Sequence, residues 1–290
     1  MSFRKAEKRK AKLRLAITGP AGSGKTYGAL LIAQGLGGKI AMLDTENGSG
    51  DLYGDRFEYD ICPITAPYDV RKYLQGIHDA EEAGYDVLII DSLSHAWNGE
   101  GGLLDMQNRI TESNAKMNSF SAWRKVTPWQ NKLVEFILTS KCHIIATMRS
   151  KTDYIQIENE RGKSEIKKVG LAPVQRDGID YEFTTVFDVS TSHVTTVSKD
   201  RTSIFDEQAF QITEETGKNL KEWLDSGVDI EGQKNQQKQL WERYLAVCNN
   251  QQKEAQDAMW VVTGKTKFSD CSAEDIQALC DDIQRRENEL

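Results

Sequence analysis

The 290 residues are 39% hydrophobic and 28% charged, enough for one full α/β domain with a small appendage and too few for two large enzymatic domains. The 37 Lys and Arg against 44 Asp and Glu give a formal charge of -7, which excludes a protein coated in positive potential but leaves room for a local nucleic-acid site. No CxxC pair occurs among the five cysteines and the four histidines are scattered, so no zinc site or disulfide framework is expected; with no apolar run of membrane-span or signal-peptide character, the expected location is the cytoplasm.

Residues 1–13 form a basic arm in which Arg4, Lys5, Lys8, Arg9, Lys10 and Lys12, joined by Arg14, face only Glu7. Such an arm is either a solvated terminus or a segment that contacts phosphate or a partner. A strand over 14–18 leads through a Gly-rich turn to a helix over 25–36, and a second strand over 39–43 ends at Asp44. An irregular Gly-rich stretch precedes a helix over 69–83, whose Val70, Tyr73, Leu74, Ile77 and Ala80 keep helical spacing before Gly84. Residues 86–91 form an apolar strand of the kind buried on both faces of a parallel sheet. A polar stretch over 98–121 then leads to a helix over 126–139 and a strand over 142–148. Later strands are expected over 183–189 and 194–197, and a closing helix over 216–224.

This alternation predicts an α/β fold with a mostly parallel central sheet flanked by helices over 14–225. Residues 226–290 read as a linker and a small helical C-terminal domain. Its two amphipathic helices are marked by Leu240, Tyr244, Leu245 and Val247, then by Ile276, Leu279, Cys280 and Ile283, with Ser272 and Asp275 suited to cap the second.

Gly19-Pro20-Ala21-Gly22-Ser23-Gly24-Lys25-Thr26 fits GxxxxGK[ST], between a strand and a helix as phosphate binding requires. The glycines let backbone N–H groups turn inward around phosphate oxygens, and the helix that follows presents its positive end. Lys25 is expected on the β and γ phosphates of ATP and Thr26 on Mg²⁺. Asp91, closing the apolar strand on what reads as a neighbour of the first, is expected to orient the Mg²⁺ shell. Hydrolysis also needs a group that orients or deprotonates water. Glu46, just after the second strand, is the candidate, with Asp44 structural; the alternative makes both acids ordinary loop residues. No NKxD guanine motif and no LSGGQ-like signature is present, which argues against a GTPase and a transporter-type ATPase.

With these motifs assembled, residues 13–224 resemble the RecA/RadA-type recombinase ATPase core, especially small phage proteins that assist single-strand annealing or recombination. The resemblance implies a P-loop NTPase of the RecA-like type in which Glu46 activates water. It also implies that Lys199 and Arg201 of Ser198-Lys199-Asp200-Arg201 reach a neighbouring subunit's γ-phosphate, which makes hydrolysis depend on a homo-oligomer, ring or filament. The family's polar sensor pair is absent from Ala146-Thr147-Met148-Arg149, leaving Thr147 or Arg149 for that role. The family's mobile DNA-contacting loop falls on 149–176, where Lys151, Lys163, Lys167, Lys168 and Arg176 are the candidate contacts to single-stranded DNA. The implied function is a Mg²⁺-dependent ATPase in phage recombination, annealing or replication, alongside a single-strand-binding or annealing protein. The alternative is a nucleotide-switched loader or scaffold, and a small-molecule kinase ranks third.

Overall fold

In the computed structural model, residues 3–113, 118–158, 164–248 and 250–289 are described; within these, side chains are described except at 152–158, 164–170, 231, 269, 273 and 289. The elements run β1 (Arg14–Gly19), α1 (Lys25–Leu36), β2 (Ile40–Asp44), β3 (Asp60–Pro63), α2 (Val70–Glu82), β4 (Val87–Asp91) and α3 (Ser94–Asn98). They continue with α4 (Leu103–Glu112), α5 (Ser119–Thr139), β5 (His143–Glu158), β6 (Ser164–Pro173), β7 (Thr185–Val189), β8 (Thr195–Asp200) and α6 (Glu214–Asp225). The sheet order is β3-β2-β4-β5-β1-β7-β8, with β6 paired to β5 off this path. Neighbours from β3 to β7 are parallel; β8 runs antiparallel to β7, and β6 antiparallel to β5.

The strands are apolar at nearly every position because both sheet faces are covered. In β4, Leu88 and Ile90 point into a core with Tyr73 and Ile77 of α2 and Leu133 and Ile137 of α5. Val87 and Ile89 point the other way, to Leu30 and Ile32 of α1 and Leu220 and Leu224 of α6. The two-residue period of a strand sends consecutive side chains to opposite faces, so a strand covered twice shows no polar alternation. Helices α1 and α6 cross at two glycines: a Cβ on Gly35 would lie 2.1 Å from the Glu214 carbonyl oxygen, and one on Gly217 2.3 Å from that of Ile32.

Four readings need correction. Asp91 does not end a strand adjacent to β1, because β5 lies between β1 and β4. The Gly-rich stretch contains the edge strand β3, whose exposed, Pro-terminated residues carry little apolar signal. The polar stretch over 98–121 contains α4, which buries Leu103 and Gln107, and the start of α5, where the Asn118 side chain accepts from Ser121 N at 2.9 Å. Arg14 is no part of a basic arm. It is the buried first residue of β1, and its guanidinium donates to the carbonyls of Leu13 (2.8 Å), Cys142 (2.7 Å) and Leu138 (3.1 and 3.2 Å). Burial pushes its pKa down to about 10, so it stays charged at neutral pH.

His143, at the start of β5, accepts a hydrogen bond at Nδ1 from Leu13 N at 3.0 Å, which requires that nitrogen to be unprotonated. Burial, then the charges of Lys12 and Arg14, push its pKa down to about 4. A histidine held neutral in the fold but free to charge when unfolded stabilises above its ordinary pKa near 6.5 and loses that contribution as pH falls toward about 4. Urea unfolding should therefore show stability dropping across this window by roughly 3 kcal/mol. In His143→Asn, whose side-chain oxygen can accept from Leu13 N, this slope should flatten.

The chain divides into two compact units, Ala11–Ser226 and Met1–Lys10 with Gly227–Leu290. Among the described residues the second unit holds three α-helices where two were expected: α7 (Ile230–Val247), α8 (Gln252–Thr263) and α9 (Ala273–Glu289). They pack around Tyr244, Cys248, Ala255, Met259, Leu279 and Ile283. Ser272 and Asp275 do cap the last helix: Asp275 N donates to Ser272 Oγ at 3.2 Å, and Ser272 N to Asp275 Oδ2 at 2.8 Å. The arm joins this unit through the backbone, Lys10 N donating to Val228 O at 3.0 Å and Val228 N to Lys8 O at 2.9 Å. Among the described residues, no helix is long and apolar enough to cross a membrane.

Candidate active site

The loop from Gly19 to Thr26 turns through Gly22 and Gly24, whose φ values of 76° and 85° lie in the left-handed region that favours glycine. Gly24 caps α1 with no side chain covering the helix's first amides. Ser23 Oγ is buried without a protein partner. Amides and a hydroxyl left facing inward at a helix N-terminus make a cradle for an anion. Pro20 O closes the loop by accepting from Ser23 N at 3.3 Å and from Lys25 Nζ at 2.8 Å. Burial lowers the Lys25 pKa, an effect opposed by the charges of Asp91 and Glu46.

Although β5 separates the two strands, Asp91 and Thr26 meet: Thr26 Oγ1 donates to Asp91 Oδ2 at 2.5 Å. Thr147, on the intervening strand, donates its hydroxyl to Asp91 Oδ1. Burial pushes the Asp91 pKa up, against the two hydroxyl hydrogen bonds. A hydroxyl and a carboxylate oxygen side by side are hard donors suited to Mg²⁺, which takes its remaining ligands from phosphate and water. Among the described residues, no group of three or more His, Cys, Asp or Glu could hold a metal by itself.

Glu46 follows β2 on a turn held by Asp44, whose carboxylate accepts from Glu46 N at 2.7 Å and Gly48 N at 2.9 Å. Its own carboxylate accepts from Ser92 Oγ at 3.2 Å, which brings it beside the end of β4. Arg149, the last residue of β5 to pair with β1, grips it with Nε at 3.1 Å from Oε1 and Nη2 at 2.5 Å from Oε2. Burial favours a raised Glu46 pKa, but the Arg149 hydrogen bond and charge, helped by His95 and Ser92, hold it below the usual glutamate value. His95 sits behind this cluster, with Nδ1 2.7 Å from Thr45 Oγ1 and its ring stacked on Tyr68.

Lys25, Thr26, Asp91, Thr147 and Glu46 thus converge at the C-terminal edge of the sheet. A family model described as an AAA domain matches residues 11–192, more than half of the chain. The chain belongs to the AAA-domain family. No curated protein matches it. It is an ATP-binding and ATP-hydrolysing AAA-domain protein of the P-loop NTPase superfamily, and the cradle, Lys25 and the Thr26–Asp91 pair lie within the match.

Lys199 and Arg201 fall outside both the match and this cluster. In β8, Lys199 lies opposite Val186, and Asp200 pairs with Thr185, which pairs with Leu15 near the start of β1; this is the end of the sheet away from the phosphate loop. Lys199 Nζ donates to the carbonyls of Asp180 (3.0 Å) and Tyr181 (2.5 Å), and Arg201 Nη2 to that of Tyr181 at 3.4 Å. Of the DNA candidates, Lys151 is exposed on β5 and Arg176 is half-buried after β6. Lys167 and Lys168 pair through their backbones with Ile155 and Tyr154 in the β5–β6 hairpin, their side chains outside the description, and Lys163 lies outside the described residues.

Sequence reasoning missed three parts of this site. Ser92 and the Arg149–Glu46 pair join residues 46 or more positions apart. A cavity of about 510 Å³ beside the loop is lined by Ser23, Tyr27, Tyr53, Arg56, His193 and Gln211 among others. His193 Nδ1 lies 3.0 Å from Ser23 O. Ser23 and Ser92 lie in motifs legible in sequence, but no local motif joins them to the other residues named, because these come from separate segments.

Proposed function

We propose that this AAA-domain protein is a RecA-like ATPase acting on single-stranded DNA as a homo-oligomer, in phage recombination, single-strand annealing or replication. The observation that carries this reading is β5. It runs between the phosphate-loop strand and the Asp91 strand, brings Thr147 to Asp91, and continues past Arg149 into a hairpin bearing Lys151, Lys167 and Lys168. A nucleotide sensor and a lysine-bearing hairpin on one strand would couple phosphate chemistry to a polyanion bound at the hairpin.

In this reading the amides of Gly22 to Thr26 and Lys25 hold the triphosphate, and the cavity edged by Tyr27 and Tyr53 takes the ribose and base. Thr26 and Asp91 would hold Mg²⁺, which when bound neutralises phosphate charge. Glu46 orients water and accepts its proton, while Thr147 fixes the Asp91 carboxylate. Lys199 and Arg201, at the end of the sheet away from their own phosphate loop, would act on a second copy's phosphates, where cations stabilise charge developing in the transition state.

ATP turnover measured with and without single-stranded DNA, across protein concentration, tests the reading. Turnover should rise with DNA and increase more than linearly with protein. A rate indifferent to both would discard the DNA and oligomer parts in favour of a nucleotide switch that recruits another replication protein.

A further inference from the structure

A second cavity, of about 430 Å³, lies between the C-terminal half of α5 and the turn over 176–182 that leads into β7, and it shares no lining residue with the cavity beside the phosphate loop. Its volume is that of a small-molecule site. On α5 the buried stripe runs Ala122, Val126, Gln130, Leu133 and Ile137, apolar at every position but one, as the packed face of a helix requires. Gln130 is 3% exposed, and its Oε1 is buried without a hydrogen-bond partner. A carboxamide so placed costs stability unless something bonds to it. The side chain lines the cavity, and its terminal torsion is soft, so a small rotation turns the oxygen onto a donor placed there.

The rest of the lining says what that donor is. Glu135, Asp177 and Glu182 bring three carboxylates against the single guanidinium of Arg176, so the cavity favours positive charge. Val134, Leu138 and Ile179 supply apolar wall. A ligand that matches both has charged N–H donors on an aliphatic stem, which is the chemistry of an alkylammonium. We propose that this cavity binds an aliphatic ammonium group, held by Gln130 Oε1 and the carboxylates, with its methylenes against Val134, Leu138 and Ile179. A free polyamine and the lysine side chain of a protein partner share this chemistry. A nucleotide or nucleic acid does not, because its phosphates would meet three carboxylates.

The test titrates spermidine, and separately an acetylated Gly-Lys-Gly amide, into the full chain by calorimetry, with ATP and DNA left out because their phosphates also bind amines. Saturable binding at one site per chain is expected, weakening as salt is raised. Gln130→Leu should weaken it roughly tenfold or more, the scale of a hydrogen bond to a charged group. Glu135→Gln, on the exposed side of α5, should weaken it roughly two- to fivefold. Without ligand, Gln130→Leu should raise Tm, since it removes an unpaired buried carboxamide rather than a bond, and the Tm gain that spermidine gives the wild type should be lost. Binding of spermidine assigns the site to a free amine, and binding confined to the peptide assigns it to a protein's lysine; either supports the proposal. Absence of saturable binding by both probes would overturn it. So would an affinity unchanged in Gln130→Leu and Glu135→Gln, which would leave only a diffuse charge effect. Should Gln130→Leu fail to fold, Glu135→Gln and Glu182→Gln decide by the same criterion.

Discussion

Replacing Glu46 by Gln should abolish ATP turnover while leaving ATP binding close to that of the wild type. Gln keeps the shape and the hydrogen bond from Ser92 Oγ but cannot accept a proton from water, and positioned general bases contribute roughly 10²- to 10⁴-fold to rate. Glu46 lies outside the phosphate cradle, so nucleotide affinity, read by isothermal titration calorimetry, should move little. The pH profile supplies a second check. The active form is the ionised carboxylate, and its pKa is held below the usual glutamate value, chiefly by Arg149 against the opposing effect of burial. With Arg149 in place, Glu46 therefore stays ionised as pH falls through the ordinary glutamate range, and the rate that depends on it should not fall with that titration while the pair is intact. Retention of turnover in Glu46→Gln would move the base elsewhere.

The second large effect is expected at Lys25. Burial lowers its pKa, the charges of Asp91 and Glu46 oppose that, and its Nζ donates to Pro20 O at 2.8 Å. Lys25→Ala removes the cation that would meet the β and γ phosphates. It also leaves Asp91, buried and already raised in pKa, without that counter-charge. A charge-assisted hydrogen bond of roughly 1.5–3 kcal/mol corresponds to a loss of about 10- to 150-fold in ATP affinity, with a further loss in turnover because the developing phosphate charge is unmet. Fluorescent ATP-analogue binding separates the two effects: Lys25→Ala should fail at binding, Glu46→Gln only after it. Equal binding in both variants would remove Lys25 from the phosphate site.

The parts of the site that are contiguous in sequence were readable without a structure. The eight residues from Gly19 to Thr26 carry their own geometry, because the glycines, the lysine and the helix start must be adjacent to surround a phosphate chain. Asp91 was readable as the acid closing an apolar strand, and Glu46 as the acid following another. The arrangement between them was not. The buried residues 144–148 of β5 look like any other covered strand, and nothing local says that this strand lies between β1 and β4 rather than beyond them. The antiparallel pairing that continues β5 was read as a mobile loop with candidate DNA contacts, since its pairing partner is chosen by register rather than by composition.

The sequence by itself determined the class of chemistry, the phosphate loop and the alternation that forces a parallel sheet covered on both faces, because each depends on neighbours along the chain. Only the tertiary structure decided which strand separates the loop from Asp91, that Arg14 is a buried cation serving backbone carbonyls, and that Arg149 grips Glu46. Those are contacts across 56 to 128 positions of sequence, fixed by how covered strands order themselves in a sheet and by which buried charges then find partners.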